Sequence, residues 1–406
     1  MQPIALSTPN SKKPFKQDGA ALMVMLVIFI VGSLAIMVGA LSRAGLQNER
    51  NKINADVLAK AKEALIGYAA RDSNRPGDLP CPDVNDDGIL TSTIDFNGSN
   101  CTSTIGRLPW KKLGLPELRD SAGEHLWYAV SKPFWDTQST ILNSDTEGTL
   151  TVRESSGIIL NNGCTTGTSI SSSCPTPNAS DAPFGTGAVA VLFAPGEVLT
   201  RQGSSSNQDR SATGINIASN YLDTFTIGVN AEDNASITEG SSTKGFIQGK
   251  IKGSNEVVLV NDQLLVISQD NLMQSVHKRI ANEVKNCLDE YANPLNGGVN
   301  RYPWAATFSS FSDTSSRLFG RIPDTPFTNT SNDSVAMNNT WVGNCKIISN
   351  SGWWLNWKYM VFYGLSDAYK PVNPASTALT ASSLTGCSDF RMYVASMKPV
   401  KGLNVL

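Results

Sequence analysis

The sequence predicts an α+β protein in which a long N-terminal membrane helix carries two related helix-plus-antiparallel-sheet modules. Three observations predict it: an uncharged apolar run at residues 20–41, a helical pattern that continues to about residue 70, and an internal repeat. The chain has 406 residues and a hydrophobic content of 40%. This length allows roughly two or three domains, each with its own core.

The composition is that of an extracytoplasmic protein. Charged residues make up 17% of the chain, whereas ordinary soluble domains have about 25%. The net charge is -2 and there are seven cysteines. No block of Lys and Arg follows the N-terminal leader, which excludes the electrostatic footprint of a nucleic-acid-binding protein. The cysteines favour an oxidising compartment.

The apolar run at residues 20–41 is longer than the core of an ordinary secretory signal. It has the length of about 20 residues that a membrane span requires. Lys12, Lys13 and Lys16 precede it, so we expect a cytoplasmic N-terminus. The predicted location is the inner membrane, crossed once, with the bulk of the chain in the periplasm. The alternatives are a signal peptide that is cleaved near Ser42 and a plain uncleaved anchor.

The junction Asp18-Gly19-Ala20 follows a basic leader and passes directly into the apolar run. It resembles the class III signal of type IV pilins and type II secretion pseudopilins, over residues 12 to about 70. The resemblance implies that prepilin peptidase cleaves after Gly19 and that the new N-terminus at Ala20 is methylated. It also implies two kinds of partner, namely other pilin or pseudopilin subunits and the inner-membrane assembly platform.

One residue departs from the common pattern of that family. Most members carry Glu at the fifth mature position, where this chain has Val24. That Glu is thought to neutralise the N-terminus of the neighbouring subunit, since an isolated charge in hydrocarbon is costly. In lacking it, the chain resembles the minor subunits that are placed at the tip of the filament.

The predicted helix continues through "LSRAGLQNERNKINADVLAKAKEALIGYAARDS", which contains no Pro. Apolar residues recur there at steps of three and four, which indicates one amphipathic face; they are Ile53, Val57, Ala61, Ala64, Leu65 and Tyr68. We expect this face to pack on a globular domain. A stalk or coiled coil is the alternative, although clean heptads are missing.

The internal repeat sets the predicted domains. Four features recur in the same order: Tyr68 as Tyr291, Pro80 as Pro303, Gly106-Arg107 as Gly320-Arg321, and Trp127-Tyr128 as the stretch from Trp357 to Tyr359. The predicted domains are a leader at 1–19, a transmembrane segment at 20–41, a first module at 42–267 with a loop-rich insertion, and a second module at 268–406.

Further elements follow from local patterns. A second helix is predicted from the N-cap Ser268, with a buried stripe of Leu272, Val276, Ile280, Val284, Leu288 and Tyr291. The segments "GTGAVAVLFAPGEV" and "DFRMYVASM" are predicted strands, and "NEVVLVNDQLLVIS" is a predicted hairpin that turns near Asn261-Asp262. Residues 200–254 are predicted to form long irregular loops.

The motif "DVNDDG" places Asp83, Asn85 and Asp87 at alternate positions, as at the start of a calcium-binding loop. The twelfth position is Ile94 instead of a bidentate Glu, so Asp95 or backbone oxygens would have to substitute. We therefore favour an Asx-rich turn without metal and keep calcium as the candidate cofactor.

The cysteines suggest two disulfides. Cys81 and Cys101 bracket the "DVNDDG" loop, and Cys164 and Cys174 bracket a Ser/Thr/Gly turn. The sequence does not decide how the remaining three pair, and a buried thiol on the second helix is one option; they are Cys287, Cys345 and Cys387.

Trp353 and Trp354 are the candidates for an exposed ligand-binding patch, beside a strand predicted from the alternation of Trp357, Tyr359, Val361 and Tyr363. His125 is predicted to be a packed or turn residue. No catalytic motif is present, so we predict that the protein is not an enzyme.

Together these features predict a minor pilin-like subunit that is present at low copy, at the tip of a type IV pilus or a type II secretion pseudopilus. The sequence does not distinguish the two machines. The alternatives are a surface adhesin or a periplasmic binding protein with a plain N-terminal anchor, and a membrane-anchored periplasmic enzyme.

Overall fold

The computed structural model describes residues 18–136, 140–201, 206–211, 215–227, 230–253, 256–292, 302, 304–309, 318–323, 352–366 and 391–394. Most of the predicted leader, as well as Cys345 and Cys387, lies outside these residues. The chain divides into two compact units, of which one ends at Ile53 and the other begins at Asn54.

Three α-helices are present among the described residues, namely α1 (Asp18–Arg71), α2 (Gln269–Ala292) and α3 (Gly352–Trp357). The backbone N–H of Asn271 donates to the Ser268 side chain at 3.3 Å, so the predicted N-cap of α2 is confirmed. The predicted stripe of α2 is confirmed from Leu272 to Leu288, because its five residues there are fully buried. The side chain of Tyr291, the sixth predicted residue, lies outside the described part of the structure.

The strands of the second unit are short. They are β1 (Phe96–Asn97), β2 (Asn100–Cys101), β3 (Ile105–Arg107), β4 (Trp127–Val130), β5 (Val152–Glu154), β6 (Ile159–Asn161), β7 (Ala190–Ala194), β8 (Thr224–Ile227), β9 (Asn230–Asp233), β10 (Phe246–Gln248), β11 (Ile251–Lys252), β12 (Val258–Val260), β13 (Gln263–Ile267), β14 (Phe319–Gly320), β15 (Val361–Gly364) and β16 (Arg391–Val394). Two 3-10 helices, Lys132–Phe134 and Ala218–Asn220, lie between them.

These strands form several small sheets. The central sheet has the order β13-β7-β4-β3 and is antiparallel throughout. A three-stranded sheet, β10-β5-β6, contains a parallel pair between β10 and β5. The other sheets are β14-β15-β16 and the pairs β1-β2, β8-β9 and β11-β12.

The central sheet is buried on both faces. Along β4, Tyr128 and Val130 pack in the cluster that holds the helices, whereas Trp127 and Ala129 pack in a second cluster with Tyr221 and residues of β5 and β10. All five residues of β7 are buried for the same reason. A strand with two covered faces has no polar side, so its sequence is a continuous apolar run.

The helices α1 and α2 contribute to one hydrophobic core. Leu58, Ala61 and Leu65 of α1 lie in the same cluster as Val276 and Ile280 of α2. The predicted apolar face of α1 is therefore largely confirmed. Leu58, which the prediction did not include, is buried in it, whereas the predicted Ile53 is 38% exposed.

The predicted fold class was wrong. The described chain is a mixed α/β structure with several small separate sheets, one of them partly parallel, instead of two equivalent antiparallel modules. The helix α2, which we assigned to a second module, packs in the core of the first. Its apolar stripe predicted a buried face correctly, but periodicity does not say which surface buries that face. The predicted domain boundaries stay predictions.

The predicted location was also wrong. Among the described residues, no helix has the length and hydropathy needed to cross a membrane. This finding contradicts a single-pass protein of the inner membrane.

Two local strand predictions need correction. β12 and β13 flank the predicted turn at Asn261-Asp262, but β12 pairs with β11 and β13 pairs with β7, so they do not form a hairpin. The predicted loop region 200–254 contains β8, β9, β10 and β11. The predicted strands at β7 and β16 are confirmed.

Candidate functional site

The N-terminal part of α1 presents an unbroken apolar surface. Gly19 and Ala20, the predicted cleavage site, lie in its first turn. The ten side chains at residues 22–31 are all apolar, and their exposure ranges from 49% at Ile30 to 76% at Phe29. Ten consecutive helical residues cover every side of a helix. An exposed apolar surface of this extent is typical of an interaction site.

The loop formed by the "DVNDDG" motif at residues 83–88, here called the acidic loop, is organised around the buried carboxylate of Asp83. Its Oδ1 accepts the N–H groups of Asn85 at 3.0 Å and Asp86 at 2.8 Å, and its Oδ2 accepts that of Gly88 at 2.6 Å. Positive φ angles of 62° at Asp86 and 77° at Gly88 allow the chain to turn so tightly. Burial raises the pKa of Asp83 to about 6, against the opposing effect of the three N–H groups.

The side chains of Asn85 and Asp87 also bond within this loop. Asn85 Nδ2 donates to Asp87 Oδ2 at 2.8 Å, and Asp87 Oδ1 accepts the N–H of Ile89 at 2.7 Å. Asp95, the candidate substitute ligand, accepts the N–H groups of Val84 at 2.9 Å and Thr91 at 2.7 Å. It is therefore a second anchor of the loop.

The fit to calcium is partial. Asn85 Oδ1 is buried without a hydrogen-bond partner and could act as a ligand. However, the described part of the chain contains no group of three or more acidic, His or Cys residues that could hold a metal. The hydrogen bonds favour the turn interpretation, and calcium at Asp83, Asn85 and Asp87 stays a prediction.

Both suggested disulfides are present. Cys81 and Cys101 are bonded and close the acidic loop, and Cys164 and Cys174 are bonded across the Ser/Thr/Gly turn. Cys287 is disulfide-bonded as well, so the suggestion of a buried thiol there was wrong.

His125 ties the acidic loop to a neighbouring turn. Its Nδ1 lies 2.7 Å from Asp86 Oδ1, and its Nε2 bonds to Glu117. The hydrogen bond to Asp86 is the main cause that raises the pKa of His125. Both ring nitrogens are occupied by carboxylates, so the structure agrees with a structural role for this His.

Arg107 lies on the other side of Asp86, with 3.8 Å between Nε and Oδ2. Its guanidinium carbon lies 4.2 Å from the ring centre of Trp127 and 4.0 Å from that of Tyr221. Contacts of this kind stabilise a cation against aromatic faces. The Arg107 side chain thus connects the acidic loop and β3 with the second hydrophobic cluster, which contains Trp127 and Tyr221.

A similar arrangement recurs at Arg321. Gly106 pairs with Tyr128, and Gly320 pairs with Tyr363. The guanidinium of Arg321 lies 4.4 Å from the ring centre of Phe362. The strand register therefore agrees with the predicted match of the two Gly-Arg pairs, but it shifts the matching aromatic residues from the 357–359 stretch to Phe362 and Tyr363.

The predicted binding patch was wrong. Trp353 and Trp354 are only 3% and 1% exposed, and both belong to the main core through α3. Trp357 ends the same helix, so it is not part of the predicted strand, which begins only at Val361. Two adjacent Trp residues at the start of a short helix can both be buried when neighbouring elements cover the helix from two sides. The adhesin alternative loses the surface on which it depended.

A cluster of ionisable groups at the end of α1 was missed by the sequence analysis. Asp78 is 2% exposed, its Oδ1 has no hydrogen-bond partner, and burial raises its pKa to about 8. The Tyr68 hydroxyl donates to Asp136 Oδ2 at 3.1 Å. Arg75 gives its hydrogen bonds to backbone carbonyls and to the Thr140 hydroxyl. The one sequence feature that could have indicated this cluster is an Asp within the apolar, Pro-rich segment "RPGDLPCP".

A serine and a histidine are also in contact, which the sequence analysis did not predict. Ser144 Oγ lies 2.7 Å from His277 Nε2, which is the spacing of a nucleophile and its base. However, Ser144 is 3% exposed and the His277 ring packs edge-on against Trp357. Burial lowers the pKa of His277. This pair joins a loop to α2, with the serine buried and the histidine partly exposed.

A surface pocket with a volume of about 390 Å³ is lined by Arg153, Asn178, Asp181, Ile227 and Glu232, among others. Several of its polar groups already have partners within the pocket. Arg153 Nε forms an ion pair with Glu232 at 3.2 Å, and Asn178 Nδ2 donates a hydrogen bond to Asp181 at 2.9 Å.

No family model, curated protein or solved structure matches the chain. The functional argument therefore depends on the sites themselves.

Proposed function

We propose that this protein is a minor pilin-like subunit, cleaved between Gly19 and Ala20 by prepilin peptidase, methylated at Ala20, and assembled at low copy into a type IV pilus or type II secretion pseudopilus. The role is assembly without catalysis. The unit that begins at Asn54 would be presented on the outside of the filament.

The observation that carries this proposal is the apolar surface of α1 at residues 22–31. All ten side chains there are about half exposed or more. Burying apolar surface is favourable by about 25 cal/mol per Å², so this segment gains free energy by packing against other apolar helices. The same segments of neighbouring subunits are the occupants that the class III resemblance implies.

Processing can be tested by measuring the intact mass of the protein purified from its own cell. We expect the loss of residues 1–19 and the addition of one methyl group. The variant Gly19→Val should retain its leader. Gly45→Val is the matched control, because a Cβ at Gly45 meets no atom within 4 Å. A mature start after Ser42 would identify an ordinary signal peptide, and a retained Met1 would identify an unprocessed chain.

Helix packing needs a separate measurement. A photo-crosslinking amino acid in place of Phe29 should capture other pilin or pseudopilin subunits. The same probe at Ile170 is the control, since that side chain is similarly exposed, at 69%, but lies outside the apolar segment. Equal capture at both positions, or none at Phe29, would contradict packing through α1.

The tip position rests on Val24, which is 58% exposed on α1. An apolar side chain there offers no partner to the charged N-terminus of a preceding subunit. We expect Val24→Glu to be tolerated and gold labels on the loop at Asp209 to mark filament ends. Labels spread evenly along the filament would contradict the tip position while leaving subunit assembly intact.

A further inference from the structure

Two buried carboxylates, Asp223 and Asp262, lie side by side in the second unit. Asp223 is 4% exposed and Asp262 is fully buried. The backbone N–H of Asp223 donates to Asp262 Oδ2 at 2.7 Å, and that of Asp262 donates to Asp223 Oδ2 at 3.3 Å. Each carboxylate thus bonds to the backbone of the other residue, which brings the two acidic groups together.

This pair holds the base of the β8-β9 hairpin. Asp223 directly precedes β8 and Asn234 directly follows β9. Asp262 Oδ2 accepts a hydrogen bond from both, namely from the Asp223 N–H and from Asn234 Nδ2 at 2.8 Å. Asn234 also bonds to the N–H of Ile247 at 2.7 Å and to its carbonyl at 3.2 Å. The hairpin and β10 are therefore connected to the β12-β13 link through Asp262.

The hydrogen bonds of Asp223 connect two further segments of the chain to the pair of carboxylates. Its Oδ1 accepts Gln208 Nε2 at 2.8 Å, and its Oδ2 accepts the N–H of Asn261 at 2.8 Å. By contrast, Asp262 Oδ1 is buried and has no hydrogen-bond partner. A buried acceptor without a partner is unfavourable, and more so when it carries a charge.

No positive charge neutralises the pair at close range. Within the described residues, no Lys, Arg or His forms an ion pair with either carboxylate. Arg210 is the cation that faces both groups. Its guanidinium is already bonded to Glu124 at 3.2 Å, to the carbonyl of Gly196 at 2.7 Å and to Gln208 Oε1 at 2.9 Å. Two adjacent buried carboxylates under these conditions do not both ionise.

We propose that Asp223 and Asp262 share one proton at neutral pH and form a pH-sensitive latch on the β8-β9 hairpin. The titratable and charged groups that face the latch are the two acids themselves and Arg210. When the shared proton leaves, two buried negative charges meet at the base of the hairpin. Their repulsion and the cost of burying the second charge favour opening, although Asp262 Oδ2 still accepts the hydrogen bonds from Asp223 and Asn234. The latch is closed at low pH and opens as the pH rises.

The direction follows from the environment of the two groups. Burial raises the pKa of Asp223 to about 6, and burial together with the Asp223 charge raises the pKa of Asp262 well above its usual range. A group whose pKa is raised on folding stabilises the folded form at low pH. That stabilisation is lost as the pH rises through the folded pKa.

Amide hydrogen exchange tests the latch where it acts. Rates at pH 6 and pH 9 are divided by the intrinsic rates, which leaves the protection of the amides of Asp223, Ile247 and Asn261. We expect this protection to fall by roughly tenfold or more in the wild type. In Asp262→Asn it should change by less than about twofold, because the amide cannot ionise. Asp209→Asn, an exposed acid in a neighbouring segment, should behave as the wild type.

Equal protection at both pH values in the wild type, or the same fall in Asp262→Asn, would overturn the proposal. Should Asp262→Asn not fold, carbon-13 NMR of the wild type decides. The assigned carboxyl carbon of either Asp223 or Asp262 must then titrate above pH 7. Titration of both below pH 6 would show that no proton is shared at neutral pH.

Discussion

Replacing Asp83 with alanine removes the acceptor of three backbone N–H groups under the disulfide-bonded loop. The N–H of Gly88 is buried, and those of Asn85 and Asp86 are partly buried. An unsatisfied buried donor costs about 1–3 kcal/mol, and a partly exposed one costs less because water can replace the lost acceptor. For the three together we expect a loss of about 4 kcal/mol in the free energy of unfolding.

The assay is denaturant unfolding followed by tryptophan fluorescence at pH 7.5, where Asp83 is ionised given its pKa of about 6. Asp87→Ala is the matched control, because Asp87 accepts one backbone N–H and one side-chain amide in a more exposed position. We expect it to lose about 1 kcal/mol or less. Each protein is measured with calcium and with a chelator, and at most a small calcium shift is expected.

Two outcomes would refute this reasoning. A loss of less than about 1 kcal/mol in Asp83→Ala would mean that the three N–H groups find other partners. A clear calcium-induced rise in the wild-type midpoint that both variants lack would mean that the loop is a metal site.

Three further predictions concern stability. Because burial raises the pKa of Asp78 to about 8 from a reference value of 3.8, its stabilising effect is complete below pH 4 and is lost as the pH rises through 8. At pH 7 about 4 kcal/mol of this stabilisation has already been lost. The free energy of unfolding of Asp78→Asn should therefore change less between pH 5 and pH 9 than that of the wild type, and an equal pH dependence in both proteins would contradict this. Cys81→Ser opens a loop of 20 residues and should cost about 3 kcal/mol, while an unchanged midpoint would show that the hydrogen bonds alone hold the loop. Trp354→Ala should cost about 3–5 kcal/mol as a core truncation, whereas a loss under about 1 kcal/mol would fit an exposed ring.

The sequence predicted the helices and single strands better than it predicted how the strands pair into sheets. The stripe of α2 from Leu272 to Leu288 is buried as predicted, because helical periodicity is a local property. The strand at β7 was also predictable, since a short continuous apolar run fits a strand that is covered on both faces. Pairing was not predictable: β12 and β13 adjoin in sequence but join different sheets.

The candidate sites show the same limit. The Asp83 turn was predicted because its hydrogen bonds span five residues, which a motif can encode. The exposure of Trp353 and Trp354 was predicted wrongly, because burial depends on elements far away in the chain. The Asp223-Asp262 pair joins residues 39 positions apart. Only an Asp inside the apolar "LVNDQLL" hinted at it, and the Asn-Asp dipeptide was interpreted as a turn instead.

The shared core of α1 and α2 affects the order in which the chain can fold during synthesis. Lys62 Nζ of α1 bonds to the carbonyl of Val266 at 3.2 Å and to Asn271 Oδ1 at 2.7 Å, and Arg279 of α2 donates to the carbonyl of Ala70 at 2.8 Å. These partners are separated by more than 200 positions. At about 5–20 residues per second, a ribosome needs on the order of ten seconds or more to make α2 after α1. During that time the part of α1 that shares a core with α2 in the finished fold has no α2 to pack against, so its apolar side chains there are buried late.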